Sequence, residues 1–201
     1  TTMSGAEPER IAGIVLAAGV SSRMGRNRML LQLDGESLVR RAVGAALTAG
    51  LAPVVAVVGF EEECVRRELA GLDCQTTTNP SYTGFTSGSL HVGLRALPPD
   101  VGAAVVLLGD MVHVSARMLR GLLVASTVSD APLIVSRYGD VTAPPILFRR
   151  PLFGELLDWH GEGCGKAVVR AHGHEATYLD WPTHALEDVD THEDFARAGK
   201  R

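Results

Sequence analysis

Short apolar runs alternate with amphipathic stretches along almost the whole chain. The runs lie at residues 11–16, 54–58, 74–78, 103–108, 133–135, 146–148 and 176–179. Most are rich in Val, Ile and Leu and too short for core helices, so they predict buried strands. Apolar positions at helical spacing fill 37–49, 61–69, 87–97, 115–125, 151–159, 165–171 and 191–198. Ser37 and Ser115 stand where a helix N-cap belongs, and Gly50 where a helix stops. The first half therefore reads β-α-β-α-β-α-β. That order predicts an α/β fold with a mostly parallel sheet and helices on both faces. The second half is less regular, broken by prolines at 142–145 and by glycines at 161–165. No repeat, low-complexity tract or long linker divides the chain, so one domain is expected over 11–201, after a frayed tail at 1–10.

Composition narrows the function classes. A length of 201 residues suits one domain with a sizeable core. The net charge of −4 gives no basic field to draw the chain to nucleic acid or membrane. No run approaches the roughly 18 apolar residues of a membrane span. The opening TTMSGAEPER is polar and has no apolar core of a signal peptide. Cys64, Cys74 and Cys164 are odd in number and lack C-x-x-C spacing. They predict neither a disulfide framework nor a zinc site, and point to a reducing cytoplasm. His172 and His174 alternate without a third ligand nearby, so surface histidines outweigh a metal site. No Ser-His-Asp or Cys-His arrangement stands out.

In α/β sheets ligands bind beyond the carboxyl ends of the strands. The first such end is IVLAAGVSSRMGRNRMLL, residues 14–31. A strand delivers Ala17, Ala18 and Gly19, whose small side chains let successive N–H groups approach an anion. Arg23, Arg26 and Arg28 follow, with permanent charge in a planar fork matched to phosphate oxygens. A Walker loop is excluded, because Met24 holds the second glycine's place and no Lys-Ser/Thr follows. A dinucleotide fingerprint fails at Ser21. On the residues alone, a phosphate loop and a solvated basic loop stand about level.

The run AAVVLLGDMV ends a strand in Gly109-Asp110. A carboxylate there can hold Mg²⁺, or Gly-Asp can merely turn the chain. A second acidic cluster, EDVDTHEDF, places Asp188 and Asp190 on one side of an extended segment. Thr191 and Asp194 beyond it resemble a capping box. After the third strand comes Asn79-Pro80, then GFTSGSLHVGL, which carries Ser87 and Ser89 into a helix start. Free N–H groups there favour anions, though serines at that place also cap helices.

The loop at 16–31 matches LAAGxSxRMGxxKxLL, with Arg28 in place of lysine. That signature resembles the nucleotidyltransferases related to the molybdenum cofactor cytidylyl- and guanylyltransferases, the MobA-like NTP transferases. Further segments match in order: Asn79, Pro80, Ser89, Leu90, Gly93 and Leu94; Gly109-Asp110; and the aspartate-threonine pair Asp190-Thr191. The resemblance implies a single-domain, Rossmann-like (GT-A-like) nucleotidyltransferase fold. It implies that Leu16, Ala17, Ala18, Gly19, Ser21, Ser22, Arg23, Gly25, Arg28, Asn79 and Ser89 bind the nucleotide. Arg23 and Arg28 would neutralise phosphates during catalysis, with Asp110 and Asp190 holding Mg²⁺. LAAG, rather than the LAGG usual in guanylyl enzymes, tilts the nucleotide towards CTP. The implied reaction transfers CMP to a phosphorylated small acceptor such as molybdopterin and releases pyrophosphate, with a molybdoenzyme as partner.

The chain departs from the family pattern at four places. Arg28 replaces lysine, GDMV replaces GDxP, Ala143-Pro144 replaces Gly-His, and Gly161 to Lys166 alters a Gly-Asp-x-Gly-x-Arg loop. Two other readings stay open on these grounds. One is a nucleotide-binding or partner-binding homologue with little catalysis; the other keeps the chemistry with another nucleotide or a sugar or alcohol phosphate.

Overall fold

A computed structural model describes residues 9–20 and 27–186. Its elements run, in chain order, β1 (Ile11–Ala17), β2 (Gln32–Leu33), β3 (Glu36–Ser37), α1 (Leu38–Ala49), β4 (Val54–Val58), α2 (Glu62–Glu68), β5 (Gln75–Thr78) and α3 (Thr86–Arg95). Then come β6 (Ala103–Leu108), α4 (Ala116–Val128), β7 (Leu133–Tyr138), β8 (Val141–Arg149), α5 (Phe153–Asp158), α6 (Cys164–His172) and β9 (Thr177–Trp181). Seven strands form one sheet in the order β5-β4-β1-β6-β8-β7-β9. All neighbours are parallel except β8, which runs against both β6 and β7.

The near-continuous apolar runs of β1, β4 and β6 follow from burial on both faces. Alternate residues of β1 serve different cores. Ala12, Ile14 and Leu16 pack with Leu90 and Leu94 of α3, Leu156 of α5 and Val168 of α6. Val15 and Ala17 pack with Val39 and Val43 of α1, Val65 of α2 and Leu119 and Leu122 of α4. Helix α3 lies close to the sheet because Gly93 has no side chain. A Cβ there would stand 2.6 Å from Ile14 Cγ2 and 3.1 Å from Val57 Cγ2.

All seven expected strands are present, and the caps divide. Ser115 accepts from the Met118 N–H at 3.3 Å, and Gly50 (φ 96°) closes α1 with its N–H on Ala46 and Leu47 carbonyls. Ser37 precedes α1 but makes no capping hydrogen bond. It is fully buried and belongs to β3, which fixes it against the turn.

The expected break at 142–145 is instead part of β8. The prolines fit because the ladder with β7 shifts there, pairing Arg137 with Thr142 and Val135 with Ile146. Pro144 and Pro145 fall between those rungs, where no N–H is required. The β2–β3 hairpin was not expected. Its signal is Asp34-Gly35, both at positive φ, but its strands are too short to show a pattern. The helix expected at 191–198 lies outside the described residues. No described helix is long and apolar enough to cross a membrane.

Candidate active site

Strand β1 delivers Leu16 and Ala17 to the carboxyl edge of the sheet; Ala18 is still buried, and Gly19 and Val20 run outwards exposed. The chain returns at Asn27, whose side chain is buried. Asn27 accepts from the Met29 N–H at 3.0 Å and donates to the Phe60 carbonyl at 2.9 Å. The Phe60 N–H donates in turn to the Ala18 carbonyl at 3.1 Å. One residue's backbone therefore grips both ends of the loop.

A single 3-10 turn, Arg28–Leu30, follows, with Met29 buried beneath it. Beside it β6 ends. The Gly109 N–H donates to the Leu16 carbonyl at 2.9 Å, tying two strand ends together. A Cβ on Gly109 would meet Met29 Sδ at 2.8 Å and Ala17 Cβ at 3.3 Å, so a bare backbone lets turn and strand close up. Asp110 comes next, only 5% exposed, with its Oδ2 3.0 Å from Arg28 Nη2.

Around this ion pair opens a cavity of about 350 Å³, lined by Leu16, Ala18, Gly19, Arg28, Ser89 and Asp110, with residues 82–86 on one wall. A second cavity of about 710 Å³ shares Leu16, Gly84, Phe85, Thr86 and Leu108 with it. The two form one cleft. Leu90, Val106 and Ile146 give the larger part an apolar floor, Thr142, Ala143 and Pro144 of β8 line one side, and α6 brings Lys166 and Arg170. Trp159 stands exposed at its rim, its indole N–H on the Glu162 carbonyl at 3.0 Å.

Helix α3 starts where the two parts meet. Its N-cap residue, Phe85, supplies no capping side chain. The helix thus presents its positive end to the cleft, where an anion is favoured. Neither nearby serine caps it. Ser87 Oγ donates to the Gly161 carbonyl at 2.5 Å, holding the 161–163 loop against α3. Ser89 Oγ accepts from Asn79 Nδ2 at 2.9 Å, while Asn79 Oδ1 takes the Ser81 N–H at 3.0 Å.

Burial pushes the Cys164 thiol up, and among its apolar neighbours it packs as a small hydrophobe. Among the described residues no three His, Cys, Asp or Glu side chains gather for a metal. Asp110 still suits Mg²⁺, which keeps several waters and needs only one or two carboxylates. It is a hard, buried, anionic donor that lines the smaller cavity.

A model of the MobA-like NTP transferase domain matches residues 13–176. The chain belongs to that family. Purine catabolism protein PucB of Bacillus subtilis is 27% identical over 202 residues, 92% of this chain and 94% of that protein. The bifunctional protein GlmU of Corynebacterium diphtheriae is 33% identical over 129 residues, 60% of this chain and 26% of that protein. The matched region is thus about a quarter of that GlmU relative's length. Among solved structures, Rv0371c of Mycobacterium tuberculosis superposes with a TM-score of 0.85 at 27% identity, covering 97% of this chain and all of that one. The same protein is also known in complex with manganese, with a TM-score of 0.76.

In this MobA-like domain the structure brings Leu16, Ala18, Gly19, Arg28, Ser89 and Asp110 to one cavity. Ala17 is fully buried in the opposite core, and Asn79 acts through Ser89 and the Ser81 backbone. Ser21, Ser22, Arg23, Gly25, Asp188 and Asp190 lie outside the described residues. The departures at Ala143-Pro144 and at 161–166 both reach the larger cavity. Sequence reasoning missed Asn27 and Phe60. Asn27 carries a signal, an amide just before a turn. Phe60 carries none, because it works through its backbone.

Proposed function

We propose that this MobA-like domain is a Mg²⁺-dependent nucleotidyltransferase that moves CMP from CTP to a phosphorylated small acceptor and releases pyrophosphate. The observation that carries the reading is Asp110 in a cleft that has two connected parts. The smaller part, walled by the Ala18–Gly19 loop and Arg28, suits a triphosphate; the larger, under β8 and α6, suits an acceptor. Arg23 and Arg28 neutralise phosphate charge, and the loop's N–H groups and Ser21, Ser22 and Gly25 cradle the nucleotide. Asp110, joined by Asp190, would hold the metal, which would supply stabilisation of phosphate charge. No protein nucleophile is needed, because the acceptor phosphate attacks the α-phosphorus in line and pyrophosphate leaves. A relative solved with manganese supports a divalent ion at this fold. The acceptor by resemblance is molybdopterin, and its product would serve a molybdoenzyme.

A second reading keeps the reaction and changes the acceptor. Ala143 and Pro144 line the larger cavity with apolar surface where the family pattern carries histidine. That loss of a polar side chain leaves a sugar or alcohol phosphate in range as the acceptor instead of a pterin. Pyrophosphate release measured with CTP, GTP, ATP and UTP against a panel of phosphorylated acceptors tests both readings. Turnover is expected to be fastest with CTP. Equal rates with all four nucleotides would remove the cytidylyl assignment, and the acceptor giving the highest kcat/KM decides between pterin and alternative.

A further inference from the structure

We propose that Arg28 latches Asp110, so that a nucleotide triphosphate, by drawing Arg28 away, strengthens the binding of a divalent cation there. The inference rests on Asp110 being the metal ligand. Three observations support it. Arg28 Nη2 lies 3.0 Å from Asp110 Oδ2, with the Arg28 side chain 26% exposed and that of Asp110 7%. A cation arriving at this carboxylate meets a fixed positive charge at contact distance, and burial limits the screening by solvent.

The backbone beneath Arg28 is held while its side chain borders open volume. Asn27 ties the turn to Phe60 and to the Met29 N–H, and Met29 is buried. The side chain lines the same cavity as Ala18 and Gly19, where the phosphates would sit. The guanidinium therefore borders both the carboxylate it pairs with and the volume proposed for the phosphates. Phosphate oxygens accept the same planar fork, with more charge than a carboxylate offers.

The exchange has a thermodynamic consequence. Triphosphate draws Arg28 away and exposes Asp110, and a cation at Asp110 releases Arg28 to the phosphates. Each ligand raises the affinity for the other by the same factor.

Binding to the full chain, read separately for each ligand, tests this. Mn²⁺ without nucleotide is followed by its electron paramagnetic resonance signal, and CTP without metal by calorimetry. Arg28→Ala is expected to tighten Mn²⁺ by about tenfold and to weaken metal-free CTP by a similar factor. Arg28→Lys is expected to fall between, since a compact ammonium has a shorter reach. Opposite signs are the signature, because a change that merely loosened the fold would weaken both. An unchanged or weaker Mn²⁺ affinity in both variants overturns the latch. Asp110→Asn separates the latch from the metal reading: if Mn²⁺ binding survives it intact, the metal reading fails and the latch with it. If Asp110→Asn abolishes binding while the Arg28 variants leave it unchanged, only the latch fails.

Discussion

Asn27 does at residue scale what a longer motif would do elsewhere. Its amide satisfies the Met29 N–H and the Phe60 carbonyl at once, so both ends of the loop that follows β1 are referred to one backbone unit. Asn27→Ala leaves a buried donor and acceptor unmatched, a cost of about 1–3 kcal/mol. Urea unfolding should show that loss, and nucleotide titration should show weaker binding, because the loop's return is no longer fixed. Wild-type affinity in a destabilised Asn27→Ala protein would mean that the loop is held by other contacts. The residues most legible in the sequence were those whose chemistry is in their side chains. Arg28, Asp110 and Gly19 announced themselves as fork, carboxylate and bare backbone. Ala17 could be placed on the loop but not on a face, since only the register of β1 turns it into the core behind α1.

At the scale of elements, β1, β4 and β6 of the parallel half were readable because each is buried on both faces and written as a nearly unbroken apolar run. The antiparallel pair β7 and β8 was readable only in part, as runs shorter than the strands they form. The extension of β8 through Pro144 and Pro145 depends on a shift in pairing with β7, which no local pattern encodes. Two predictions belong here. Gly93→Ala forces a Cβ into Ile14 and Val57, and should lower stability by about 1–3 kcal/mol in denaturant titration. An unchanged midpoint would show that α3 has room to move off the sheet.

The second concerns the contact between α5 and α6. His172 Nε2 lies 2.7 Å from Glu155 Oε2, and that hydrogen bond to the carboxylate raises the imidazole above its ordinary range. The folded state therefore holds the proton more tightly than the unfolded chain. The stabilisation is complete below the unfolded value of about 6.5 and fades as pH rises through the higher folded one. Melting temperatures of wild type and His172→Gln should differ most at acidic pH and converge towards alkaline pH. A gap that widens with rising pH would reverse the assignment.

At the scale of the whole molecule, function follows from where the sheet changes direction of pairing. The parallel strands β1 and β6 bring the loop and Asp110 to one edge, and β8, running the other way beside β6, walls the adjoining space. Helix α3 starts at the seam between the volumes proposed for nucleotide and acceptor, and Ser87 ties it to the 161–163 loop. Acceptor chemistry was the least legible part of the sequence, since the pocket is assembled from ordinary residues of β8, α3 and α6 with Trp159 just beyond α5, segments far apart in the chain. The central claim is that all of this geometry converges on Asp110. Pyrophosphate release by Asp110→Asn, beside its calorimetric binding of CTP, tests that claim most directly. The account predicts that release with Mg²⁺ and acceptor falls to background while metal-free CTP binding persists; release at the wild-type rate would contradict it.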